Sequence, residues 1–155
     1  MTCGCSQLRP ESRGWVRATS ADPDMPPEIQ PNYLADPIDR QTVIAGMRAV
    51  REIFAAPALA RFCAAEILPG PSVASDAELL AHACERGSTI YHPIGSCRMG
   101  IDPLAVVDHR LRVVGVEGLR VVDASIMPTM PSGNTYAATI MVAEKAADMI
   151  SEDVA

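Results

Sequence analysis

The placement of thirteen prolines decides where this 155-residue chain can be helical. Pro23, Pro26, Pro27 and Pro31 crowd the segment 6–36. Each removes a backbone donor and biases its predecessor to extended geometry, which excludes helix there and leaves short strands, expected around Leu8 and at Gly14-Trp15-Val16-Arg17. Pro37 acts in the opposite sense. It follows a capping Asp36 and suits a first helical position, and Val43, Met47, Val50 and Phe54 then recur at i, i+4, i+7 and i+11, predicting a helix to about Ala56. Pro57 opens a second short helix, with Leu59, Phe62, Cys63 and Ile67 inward, that must stop before Pro69-Gly70-Pro71. Ser75-Asp76-Ala77-Glu78 is a capping-box pattern for a third, with Leu79, Leu80, Ala83 and Cys84 apolar and Gly87 as its stop.

After Gly87 the chain reads as strand and turn: Thr89-Ile90-Tyr91, then Arg112-Val113-Val114, then Leu119 to Asp123. The last run is mostly apolar, as in a strand buried on both faces of a sheet. A proline-rich loop from Pro128 to Gly133 leads into a final helix with Ile140, Ala143, Ala147 and Ile150 inward. The fold class is therefore α+β. At 48% hydrophobic residues the chain can bury a core of one ordinary domain.

Charge narrows the partners. Thirteen Lys and Arg against nineteen Asp and Glu offer no basic face for a phosphate backbone, so nucleic acid is excluded as a partner. No apolar run approaches the ~20 residues that span a bilayer, and Met1-Thr2-Cys3-Gly4-Cys5 has neither a charged nor an apolar leader segment, so a cytoplasmic location is the default expectation. Cys3, Cys5, Cys63, Cys84 and Cys97 are odd in number and unevenly spaced; neither a disulfide framework nor a metal pair is expected.

Two polar segments carry the chemistry. The first is Tyr91-His92-Pro93-Ile94-Gly95-Ser96-Cys97-Arg98-Met99-Gly100. Pro93 stiffens the backbone just after the histidine, and Gly95 and Gly100 let the loop approach a ligand closely. An imidazole, with an ordinary pKa of ~6.5, can accept a proton near neutrality. His82 sits within the third helix and His109 in the polar stretch Val107-Asp108-His109-Arg110, so His92 is the histidine that a loop presents. The second segment is Val121-Val122-Asp123-Ala124-Ser125-Ile126-Met127-Pro128 followed by Pro131-Ser132-Gly133-Asn134-Thr135. On the pattern alone, an asparagine ahead of a helix reads as an N-cap.

Together these segments closely resemble the C-terminal end of glucose-methanol-choline (GMC) flavin oxidoreductases, and Gln7-Leu8-Arg9-Pro10-Glu11-Ser12-Arg13-Gly14 resembles the stretch of that family that runs through the substrate-domain sheet. The resemblance extends from about Gln7 to Ile150, and Ser96 stands where many relatives carry threonine. It implies oxidation of a small-molecule alcohol by hydride transfer to FAD. His92 would be the catalytic base and Asn134 a hydrogen-bond donor to the substrate oxygen, since an amide can donate but cannot take the proton. Asp123 and Ala124 would touch the flavin nucleotide, and Thr135 and Tyr136 the isoalloxazine. It further implies that residues 7–110 belong to the substrate-binding part and residues 111–150 supply a strand and helix that complete the FAD-binding domain. No G-x-G-x-x-G occurs in the 155 residues, so the N-terminal nucleotide-carrying portion is expected as a missing partner and the isolated chain is expected to be inactive. Two other readings stand beside this one: a non-catalytic remnant or interaction module, and a thiol enzyme pairing Cys97 with His92.

Overall fold

A computed structural model describes residues 1–154. The elements, in order, are strands β1 (Trp15–Arg17) and β2 (Glu28–Gln30), helices α1 (Pro37–Ala55), α2 (Pro57–Ala60) and α3 (Asp76–Arg86), a 3-10 turn at Ala124–Ile126, and helix α4 (Tyr136–Val154). The chain divides into two compact units, one of Met1–Gly14 with Glu28–Ser88, the other of Trp15–Pro27 with Thr89 onward. No helix among the described residues is long and apolar enough to cross a membrane.

In the first unit α1 begins where the sequence places it. Asp36 is the N-cap, its carboxylate accepting from the Ile38 N–H at 2.8 Å, with Pro37 in the first turn. Val43, Met47, Val50 and Phe54 are half-buried, Ile44 is buried, and α1 packs against α3. On α3 the Ser75 capping box is complete, and Leu79 is fully buried. Cys84 is exposed, contrary to expectation, and His82 takes the half-buried position instead. The second helix is only one turn long. Phe62 and Cys63 donate to the carbonyls of Leu59 and Ala60 in three-residue turns, and Phe62 and Ile67 face solvent rather than inward.

The least expected element of this unit is Asp39, a carboxylate only 2% exposed. Its Oδ1 accepts from Gln7 Nε2 at 3.1 Å and from the Glu11 N–H at 2.9 Å, and its Oδ2 from the Ser12 N–H at 2.8 Å. Burial alone would raise the Asp39 pKa, but the hydrogen bonds from Ser12, Glu11 and Gln7 outweigh it and lower the group from 3.8 to about 2. One side chain of α1 thereby holds the segment 7–12 in place, and that segment forms no strand at Leu8.

The second unit packs around Val107, Leu111, Ile126, Met127, Val142 and Ala146. Its extended segments do not form the expected strands. Thr89–Tyr91 is irregular, and Arg112–Val114 and Leu119–Asp123 meet through a single isolated bridge, Arg112 with Arg120. Leu119 is exposed and Val121 and Val122 are half-buried, so this run is not covered on both faces. A strand acquires its identity from neighbours that bond along its length, and a single bridge leaves it short of that.

Helix α4 buries a face other than the expected one. Val142 and Ala146 are inside with Ala138 against them, whereas Ile140, Ala143, Ala147 and Ile150 are exposed. The C-terminal turn of α4 is held by arginines. Arg110 donates to the Met149 carbonyl at 3.2 Å, and Arg110, Arg112 and Arg120 all pair with Asp153. Hydrogen bonds from Arg112 and Arg120 keep the Asp153 carboxyl near 2, below its ordinary 3.8.

Candidate functional site

The loop that carries His92 is built against the second unit's core. Tyr91 has φ +60°, a left-handed conformation that costs a bulky residue energy and is tolerated only where the surroundings over-determine it. Gly95 also lies at positive φ (+81°), where a Cβ would be strained. Beyond it the loop is tied to the 3-10 turn: the Cys97 N–H donates to the Ser125 carbonyl at 3.1 Å and the Met99 N–H to the Ile126 carbonyl at 2.8 Å. Ile94 and Met99 pack on the core. Arg98 then makes two parallel hydrogen bonds to Asp102, at 2.7 and 2.8 Å, which close the far end of the loop and lower the Asp102 pKa.

The second segment is ordered by its own polar residues. Asp123 caps the 3-10 turn, its Oδ1 accepting from the Ser125 N–H at 2.7 Å and from the Ser125 hydroxyl. One oxygen of its side chain is therefore committed to the turn. Helix α4 starts at Tyr136, and Thr135 rather than Asn134 stands at its threshold: the Thr135 carbonyl accepts from the Thr139 N–H and from the Thr139 hydroxyl, both at 2.9 Å. Asn134 is exposed, and among the described residues its amide makes no hydrogen bond. The capping alternative for Asn134 thus goes unused.

The two segments, already joined through the backbone, also meet side chain to side chain. Thr135 Oγ1 lies 3.0 Å from His92 Nδ1, with Thr135 only 7% exposed and His92 half-buried. His92 and the Asn134-Thr135 pair therefore occupy one neighbourhood, together with Tyr136, which is 75% exposed on the first turn of α4. That turn contains no acidic residue, so its free N–H groups and the positive end of the helix dipole are not neutralised from within. The donor set is an imidazole, an unengaged amide and a helix N-terminus. It suits an oxygen that gains negative charge and an electron-rich ring edge. Sequence reasoning did not find the Thr135 hydroxyl as a partner of His92, because the two residues lie 43 positions apart and no local pattern links them.

A family model described as GMC oxidoreductase matches residues 10–143. The chain is 53% identical over 147 residues to an alcohol dehydrogenase [acceptor] of Pseudomonas putida, covering 95% of this chain and 27% of that protein. It is 51% identical over 143 residues to an oxygen-dependent choline dehydrogenase of Chromohalobacter salexigens, covering 92% of this chain and 26% of the relative. Its structure is similar to that of an FAD-dependent oxidoreductase from Chaetomium thermophilum, with a TM-score of 0.86 at 35% identity, covering 94% of this chain and 26% of the other. The chain spans about a quarter of the length of the curated relatives it matches.

Proposed function

Because the chain belongs to the GMC oxidoreductase family, we propose that it is the active-site-bearing C-terminal part of an FAD-dependent enzyme that oxidises the CH–OH group of an alcohol. The observation that carries this reading is the Thr135–His92 hydrogen bond, which sets a loop-borne imidazole beside Asn134. His92 takes the hydroxyl proton as the alcohol is oxidised. The Asn134 amide, without a hydrogen-bond partner among the described residues, donates to the same oxygen and stabilises the charge it gains. The residues that would hold the flavin are Asp123 and Ala124 through their backbone, and Thr135 and Tyr136 at the start of α4. When bound, FAD supplies the hydride acceptor. The helix N-terminus favours negative charge at whatever ring edge it faces. In this reading residues 7–110 shape the alcohol site, residues 111–150 complete the FAD domain, and the rest of the nucleotide site corresponds to the portion of the relatives that these residues do not match.

The test is stopped-flow flavin reduction at saturating alcohol in the full-length or reconstituted flavin-loaded enzyme. His92→Ala lowers the rate by roughly two to four orders of magnitude, the usual contribution of a positioned general base. Asn134→Ala lowers it by roughly ten- to a thousandfold, since one donor is lost and proton transfer remains. A His92→Ala enzyme that reduces its flavin as fast as wild type removes His92 from the role of base.

A further inference from the structure

We propose that Thr135 is a positioning residue for His92. Its hydroxyl holds the imidazole in the tautomer that carries the proton on Nδ1, leaving Nε2 as the bare nitrogen that accepts the substrate proton. The proposal rests on the reading of His92 as base and specifies which nitrogen does the work.

The geometry is well determined on the threonine side. Thr135 is buried, its β-branched side chain has few rotamers, and its carbonyl is anchored by two hydrogen bonds from Thr139. Oγ1 is thus a fixed point set by α4, and His92 Nδ1 lies within 3.0 Å of it. A hydroxyl can donate or accept, so the contact permits two arrangements. If Oγ1 donates to Nδ1, the neutral ring carries its proton on Nε2 and has no lone pair left for a substrate. If Oγ1 accepts from Nδ1–H, Nε2 is bare in the neutral ring. The second arrangement has a further property. After Nε2 has taken a proton, both ring nitrogens are donors and the Nδ1–H···Oγ1 bond persists unchanged. The same contact therefore serves before and after proton uptake, and the ring need not turn between the two states.

The backbone on the histidine side supports the same division of labour. Tyr91 at φ +60° and Pro93 bracket His92 and limit how the ring can be presented, while Thr135 fixes its remaining rotation. No carboxylate bonds to His92 among the described residues, so orientation comes from a neutral hydroxyl rather than from an anion. Hydrogen bonds that orient a metal-bound imidazole through its other nitrogen are commonly worth about ten- to a hundredfold in function, and a loss of the same order is expected here.

The experiment reads the tautomer directly. Long-range proton–nitrogen correlation spectra of histidine-labelled protein, recorded above the range where imidazole titrates, distinguish a bare ring nitrogen from a protonated one. His92 is assigned from the signal lost in His92→Gln, and His82 and His109 serve as internal references for an intact fold. The expected wild-type result is a bare Nε2 and a protonated Nδ1. Thr135→Val, of equal shape but without the hydroxyl, shifts the ratio toward Nε2–H at least about tenfold, and Thr135→Ser restores it. In the flavin-loaded enzyme Thr135→Val lowers the reduction rate roughly ten- to a hundredfold, with Ser again rescuing. A wild-type His92 protonated on Nε2, or a ratio that Thr135→Val leaves unmoved, overturns the positioning role. The wild-type measurement alone is sufficient if the valine variant fails to fold. These outcomes are independent of His92→Ala kinetics, which test the base assignment itself.

Discussion

Replacing Asp39 by asparagine should destabilise this chain more than any change of a single surface charge, and by an amount that depends on pH. Asp39 is buried, and its two oxygens together accept from Gln7, Glu11 and Ser12. The lowering of its pKa from 3.8 to about 2 corresponds to about 2.5 kcal/mol of stability near neutrality. Asparagine keeps the shape but turns one acceptor into a donor, which leaves at least one of those N–H groups facing another N–H, at a further cost of about 1–3 kcal/mol. The expected loss is therefore about 3.5–5.5 kcal/mol at neutral pH, read by urea unfolding with far-ultraviolet circular dichroism. The sign follows from the depressed pKa: the stabilisation is complete above the unfolded value near 3.8 and disappears as the pH falls toward about 2. The gap between wild type and Asp39→Asn should accordingly narrow between about pH 5 and pH 2. A gap below about 1 kcal/mol, or one that stays constant over that range, would refute the assignment of Asp39 as the anchor of residues 7–12.

Ser75→Ala should cost about 1 kcal/mol by removing the oxygen that accepts from the Glu78 N–H, and hydrogen exchange in the first turn of α3 should accelerate while that of α4 stays unchanged. The 155 residues expressed by themselves should lose flavin on desalting, since they contain no glycine fingerprint for a nucleotide; visible flavin absorbance that survives the column would contradict this.

The parts of the fold that were legible in the sequence are those fixed by neighbours in the chain. Asp36-Pro37 and the Ser75 box each satisfy helix N–H groups within a few residues, and both helices start where those patterns place them. Strand β2 was overlooked although Pro27 and Pro31 bracket it; the proline constraint that excludes helix favours extended backbone, and Glu28–Gln30 fits between them. The inward face of α4 was misplaced by about one residue step, roughly 100°. Two stripes of the helix are apolar, and composition alone does not say which of them this unit covers. Asp39 was missed for the converse reason, since its donors come from residues about thirty positions away and a carboxylate gives no local sign of being buried. At the site, the family resemblance proposed His92 and Asn134, while the hydroxyl that joins their segments depends on the tertiary packing of α4 beneath the loop.

Helix α4 consequently answers to two separate selective tests. Val142 and Ala146 are read by the core of these residues themselves, so shortening Val142 is felt wherever the chain is made. Tyr136, Ile140, Ala143, Ala147, Ile150 and Val154 form a second stripe on another side of the same helix, all exposed. Within these residues, polar replacements along that stripe are nearly silent, and their effect is registered only by a body that lies against it. A screen of the chain for folding and a screen of the flavin-loaded enzyme for activity would therefore return different maps of one helix, which coincide at the core-facing positions Ala138, Val142 and Ala146.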